Sequence, residues 1–221
     1  CGGCCDFCFY RMVEFDELNS LKLGCAYCPP HKIGCDYCRK SVTRIENNFK
    51  SLNEVITDIG KNLMLLQLSG KLDSDKLRVT ISGGADAFYY PSLTKLVEIL
   101  KESEMVLHLG YVSGIGIKDM NQIWDLINLG IDEVSFSIFS TDPNLRGKMM
   151  HDENPEIPIE SLEYLCKNCD VNASSVVIPG INDEEEILKT AEDLEEWGVK
   201  SYILRRFANT KEQGLILNKE G

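Results

Sequence analysis

Cys1-Gly2-Gly3-Cys4-Cys5-Asp6-Phe7-Cys8 opens the chain, and the spacing Cys1-x3-Cys5-x2-Cys8 brings three thiolates into one loop. Gly2 and Gly3 let the backbone turn tightly there. Cys4 offers competing registers in place of Cys1 or Cys5, but this one supplies three ligands in a single wrap. Three thiolates suit a 4Fe-4S cube with one iron left open to a small molecule. The plainer readings of the loop are a zinc knuckle and a thioredoxin-like pair.

A second group follows at once. Cys25-x2-Cys28-x6-Cys35-x2-Cys38 consists of two near copies of Gly-Cys-x-Tyr-Cys flanking Pro29, Pro30 and His31. Two facing knuckles close a tetrahedral site, so four thiolates read as a structural centre holding zinc or mononuclear iron. A second iron-sulfur cluster is the other occupant this set accommodates. Eight of the ten cysteines thus crowd one end of a well-patterned chain. A disulfide framework would spread them through a small, loop-rich one, so metal and a reducing cytoplasm are expected. Cys166 and Cys169 stand apart and read as small apolar packing residues.

The 221 residues suffice for one large domain. Asp and Glu number 35 against 23 Lys and Arg, giving a net charge of −12. That balance disfavours nucleic acid and anionic membranes as partners, since phosphate binding needs clustered positive charge. No apolar run approaches the ~18 residues of a membrane-spanning helix, and no secretory signal is evident.

Beyond the cysteines, β-rich runs at 77–82, 105–110, 133–138, 171–178 and 200–207 alternate with amphipathic helices. The runs read as parallel strands, mostly apolar on both faces. Ser51 with Glu54 forms a capping box, Pro91 suits a first helical position, and Asp119 with Gln122 caps a helix ended by Gly130. Asp183 with Glu186 caps a last helix, which stops at Gly198, and its acids read as a solvated face. This alternation predicts an α/β domain with a parallel sheet and right-handed crossovers. A sixth strand expected just ahead of Cys1 would complete an open (β/α)6 partial TIM barrel.

With Ile81-Ser82-Gly83-Gly84-Ala85-Asp86 added to the three-cysteine loop, the sequence resembles the radical S-adenosylmethionine (SAM) superfamily. The segment is similar to that superfamily's Gly-Gly-Glu, with Ala85 and Asp86 where Glu often stands. Val177-Ile178-Pro179-Gly180-Ile181-Asn182-Asp183 resembles a further superfamily segment. The resemblance implies SAM bound near Phe7, Gly83, Gly84, Ser137, Arg146 and Ile178. Arg146 and Ser137 would meet its carboxylate and ribose. It also implies one-electron cleavage of SAM to a 5′-deoxyadenosyl radical, with Cys1, Cys5 and Cys8 holding the cluster.

The four-cysteine loop, Ser140-Thr141-Asp142-Pro143-Asn144-Leu145-Arg146 and the late stretch 206–217 narrow the likeness. Together they resemble the methanogenesis marker protein 10 family. That resemblance implies a cobalamin-dependent methyltransferase of anaerobic cells. It would methylate the δ-carbon of an arginine in methyl-coenzyme M reductase, with electrons from a ferredoxin or flavodoxin. The radical SAM core is expected over 1–217, with the cluster loop at 1–8, the four-cysteine loop at 23–39 and β/α units over 51–210. No Asp-x-His-x-x-Gly cobalamin signature is present, and the cobalamin-binding domain is expected to lie beyond this chain. Asp86, Tyr111, Arg205 and Arg206 stand at strand ends and are candidates for facing substrate, Asp86 foremost for a cationic arginine. The rival readings are a radical SAM peptide maturase with an auxiliary metal centre and a non-catalytic zinc-ribbon interaction module.

Overall fold

A computed structural model of the chain describes residues 5–7, 49–70, 77–82 and 86–207. Cys1, Cys8, Cys25, Cys28, Cys35, Cys38, Gly83 and Gly84 lie outside the described residues, as does any strand ahead of Cys1.

Five strands form one sheet: β1 (Arg78–Ile81), β2 (Val106–Val112), β3 (Glu133–Ser137), β4 (Asp170–Val177) and β5 (Ser201–Arg206). Their order in space is their order in sequence, and every pairing is parallel. Successive crossovers therefore wind one way round, and the sheet curls into the partial barrel that the sequence implies. The described helices are α1 (Leu52–Leu68), α2 (Leu93–Lys101), α3 (Asn121–Asn128), α4 (Pro143–Met150), α5 (Glu156–Asn168) and α6 (Glu185–Trp197). Among the described residues no helix is long and apolar enough to cross a membrane.

The strands do not match the expectation of two apolar faces. Leu107, Leu109, Val134, Phe136, Val171 and Ala173 face the helices and belong to the core, with Val79 packed against it. Fully burying each of the larger side chains among them contributes roughly 1.5–3 kcal/mol. The opposite, concave face carries Thr80, His108, Ser135, Ser137, Asn172, Ser174 and Ser201. In a parallel sheet, aligned residues share a face, and the register aligns Thr80 with His108, Ser135 with Asn172 and Ser201, and Ser137 with Ser174. Hydroxyls and amides pair across it. Asn172 accepts from Ser201 Oγ at 2.6 Å, and His108 shares hydrogen bonds with Thr80 at 3.2 Å and Ser135 at 2.8 Å. The polar face exists because an open barrel leaves its inner wall without a helix to cover it. Burial lowers the pKa of His108 from its ordinary value, with Arg78 adding to the shift and Glu133 opposing it.

Helix punctuation follows the sequence in part. The Ser51–Glu54 capping box forms, with Ser51 N–H donating to Glu54 Oε2 at 2.8 Å. Pro91 lies two residues ahead of α2, outside its first turn. Asp119 and Gln122 both accept backbone N–H groups, from Asn121 and Lys118, at the start of α3. The Asp183–Glu186 box does not form. Glu184 is held at φ 51°, Asp183 accepts from Gly180 N–H, and Glu186 instead accepts from Ser140 Oγ at 2.5 Å. Asp193 likewise accepts from Thr141 Oγ1 at 2.5 Å. Two acids of α6 therefore face the β3–α4 loop, not water.

Candidate functional site

The C-terminal edge of a parallel sheet is where βα loops converge, and here they converge on the described part of the cysteine loop. Cys5 is buried in a second apolar cluster with Phe139, Met149, Met150 and Ile178, flanked by Phe7, Ile181 and Phe207. Phe7 stacks on Phe139, with ring centroids 4.6 Å apart and planes 15° from parallel. Asp6 N–H donates to the Met149 carbonyl at 2.9 Å, and Asp6 Oδ1 meets His151 Nε2 at 2.6 Å. Phe139 leaves β3 at φ 70° and His151 ends α4 at φ 51°. Two residues that grip the loop are thus held in the left-handed region, which costs a non-glycine residue about 1–3 kcal/mol.

Asn182, in the segment after β4, has no exposure. Its Nδ2 donates to the carbonyls of Phe139 and Val176, and its Oδ1 accepts from Ile178 N–H at 2.7 Å. This one amide ties the exit of β3 to the exit of β4 and sets Ile178 against Cys5. In the sequence Asn182 is one polar residue of the segment 177–183, with no local signal that sets it apart.

Two of the sequence candidates prove to be scaffolding. Asp86 is 1% exposed. Its carboxylate accepts from Phe88 N–H, Ser113 N–H, Ser113 Oγ and Gly114 N–H at 2.6–3.0 Å. With four donors on it, Asp86 ties the β1 and β2 exits together. Arg146 has no exposure, and its three nitrogens donate to Asp152 Oδ2, the Ile138 carbonyl and the Ser113 carbonyl at 2.9, 2.8 and 2.7 Å. It is therefore not placed to meet a SAM carboxylate. Desolvation lowers the guanidinium pKa and Asp152 opposes that; arginine stays charged in either case. Ser113, absent from the sequence candidates, links the two networks.

Asp86→Asn should cost about 2–4 kcal/mol, because an amide cannot accept from all four donors and some stay buried and unmet. Urea unfolding of the variant beside the unaltered protein measures the loss.

Tyr111 and Arg205 do reach open space. Tyr111 sits at φ 59° where the β2–β3 register shifts between Leu109 and Val112, and it is 62% exposed. The Arg205 guanidinium lies 5.8 Å from the centroid of its ring. Tyr111 is on β2 and Arg205 on β5, with β3 and β4 between them, so their contact spans the concave face. Ser137 lies on that face, 3.4 Å from Ser174 Oγ. Arg206 faces the other side of β5, one residue on from Arg205. Away from the site, burial raises the thiol pKa of Cys166 to about 11 and that of Cys169 to about 12, which leaves both unreactive at neutral pH.

Residues 22–194 match the radical SAM superfamily. The chain belongs to that superfamily. A zinc-ribbon module therefore has no support as the fold. Among curated proteins, a relative from Methanocaldococcus jannaschii is provisionally named a glycyl-radical enzyme activating enzyme. It is 27% identical over 195 residues, 82% of this chain and 64% of its own length. The chain thus spans less than two thirds of that relative. Among solved structures, Streptococcus suis SuiB bound to S-adenosylmethionine aligns with a TM-score of 0.56 at 14% identity, over 90% of this chain and 41% of SuiB. SuiB bound to its precursor peptide SuiA aligns at 0.55 and 15% identity, over 87% of this chain and 39% of SuiB. At such identities the likeness shows the radical SAM fold alone.

A radical SAM domain implies a 4Fe-4S cluster and SAM, and the residues present fit the cluster. Three thiolates at this spacing suit a cube with an open iron. Cys5 is buried at the strand edge among Phe139, Met149 and Ile178, which keep water from one side of it.

Proposed function

We propose that this radical SAM protein is of the arginine C-methyltransferase type. In this reading it cleaves SAM reductively and methylates an arginine δ-carbon of methyl-coenzyme M reductase. The observation that carries the choice is the four-cysteine loop, with Cys25, Cys28, Cys35 and Cys38 as two copies of Gly-Cys-x-Tyr-Cys around Pro29-Pro30. Its placement directly after the cluster loop also speaks against the auxiliary clusters of peptide maturases, which usually follow the barrel.

Each group then has a task. Cys1, Cys5 and Cys8 would hold the cluster, which when bound supplies the electron that splits the sulfur–carbon bond of SAM. Cys25, Cys28, Cys35 and Cys38 would hold iron or zinc structurally. Phe7, Gly83, Gly84, Ser137 and Ile178 remain the proposed SAM contacts. The concave face offers oxygen acceptors from Ser135, Ser137, Asn172 and Ser174, suited to the five N–H donors of a guanidinium. Tyr111 and Arg205 stand at its mouth, where a protein segment would enter. A macromolecular substrate is also supported by SuiB's peptide complex and by the activating-enzyme name of the relative. An acidic cytoplasmic protein of this kind would draw electrons from a ferredoxin or flavodoxin.

An sp3 carbon has no lone pair to attack a sulfonium, so this reading calls on methylcobalamin as methyl donor. His108 does not fit a cobalt ligand, because both of its ring nitrogens are hydrogen-bonded. No described residue is assigned to cobalamin.

The second reading, activation of a glycyl-radical enzyme, is favoured by the relative's name. One experiment separates them. The anaerobically reconstituted protein is given SAM, reductant, methylcobalamin and an arginine peptide of methyl-coenzyme M reductase. The expected result is 5′-deoxyadenosine together with a gain of one methylene on arginine. Deoxyadenosine with an unchanged peptide overturns the methyltransferase reading.

A further inference from the structure

The last turn of α4 touches the cysteine loop through three kinds of contact. The Met149 carbonyl accepts Asp6 N–H, His151 Nε2 meets Asp6 Oδ1, and Met149 and Met150 pack in the cluster that buries Cys5. Arg146, one turn earlier on α4, and Asp152, next after His151, close this turn with a buried ion pair at 2.9 Å. The same arginine donates to the carbonyls at the exits of β2 and β3. The turn is therefore fixed from the sheet side without help from the loop.

His151 is an unusual way to end a helix. At φ 51° it occupies the left-handed position at which glycine is the residue of least strain. A histidine there gives up local stability, and its side chain, half-exposed, is spent on Asp6. Asp6 lies between two of the three cluster cysteines. Phe139, the other left-handed residue at this edge, stacks on Phe7, also between them. Both strained positions thus serve contacts to the stretch that spaces Cys5 from Cys8.

We propose that the end of α4 is a preformed seat for the cluster loop and that His151 is a positioning residue for the cluster, acting through Asp6. The seat sets the loop's conformation before metal enters and slows the loss of the loaded cluster. This rests on the loop holding a 4Fe-4S cluster, as the radical SAM fold implies.

The test uses the full chain, reconstituted without oxygen, as the unaltered protein, His151→Gly and His151→Gln. Glycine relieves the left-handed strain and removes the contact to Asp6, whereas glutamine keeps an N–H of similar reach. Cluster loss to an iron chelator is followed by absorbance, the reduced cluster by electron paramagnetic resonance, and the fold by thermal unfolding of the apo form. The expected result for His151→Gly is an apo melting temperature equal to or above that of the unaltered protein. Its cluster is lost roughly three- to tenfold faster, the factor one ordinary, partly exposed hydrogen bond supports, and the resonance is altered. His151→Gln should return the loss rate towards the unaltered value. Equal loss rates and spectra in all three overturn the proposal, as does a loss of cluster in proportion to a lowered melting temperature. Failure of the unaltered protein to take up a cubane overturns the premise about the loop instead.

Discussion

Arg146→Met should lower the stability of the domain by about 3–5 kcal/mol, the cost of removing one partner from a buried ion pair. The Asp152 side chain, 6% exposed, would keep its charge with no counter-ion, and two buried carbonyls, of Ile138 and Ser113, would lose their donor. Methionine fills much of the volume, so a cavity contributes little and the deficit is electrostatic. For a chain of this length each kcal/mol moves the melting temperature by roughly 2–4 °C, so a fall of about 6–20 °C is expected. Arg146→Lys should fall in between, because an ammonium can keep the charge but cannot span three acceptors in a fork. Thermal and urea unfolding of both variants measure this. A loss under about 1 kcal/mol for Arg146→Met would show that the exits of β2 and β3 and the end of α4 are held by packing alone.

Arg146 also marks the limit of what the sequence discloses. An arginine soon after a strand in a radical SAM chain reads as a ligand contact, because sequence gives proximity to the strand end but not the direction of the side chain. Asp86 misleads for the same reason: a carboxylate beside two glycines looks like a substrate contact until the N–H groups of Ser113 and Gly114 are seen to converge on it. The strands themselves were legible, since Val, Ile and Leu runs of that length between capped helices admit few other folds. Their inner face was not. Serines at 135, 137, 174 and 201 look like weak strand residues in one dimension, and only the register lines them up on one concave wall. The Asp183–Glu186 box satisfies the local rule, yet Ser140, 46 residues away, takes the glutamate. Contacts of that separation leave no local signal.

Cys5→Ala should abolish 5′-deoxyadenosine formation while leaving a folded protein. Cys5 is 3% exposed, but it is a small side chain, and truncation to alanine removes one sulfur from a cluster that Phe139, Met149, Met150 and Ile178 still fill. The fold should lose only about 1 kcal/mol. The metal site loses far more. An outer-shell partner such as His151 typically governs metal affinity by ~10–100-fold at most, whereas a missing thiolate leaves two ligands where the cube needs three. Cys25→Ala should show the opposite pattern, a marked drop in stability with cluster content at the first loop retained, because a closed metal site contributes folding free energy directly. Iron and sulfide counts, deoxyadenosine yield and melting temperature, measured on both variants, separate the two loops. If Cys25→Ala stays as stable as the unaltered protein yet loses SAM cleavage, the four-cysteine centre carries electrons, and its structural assignment falls.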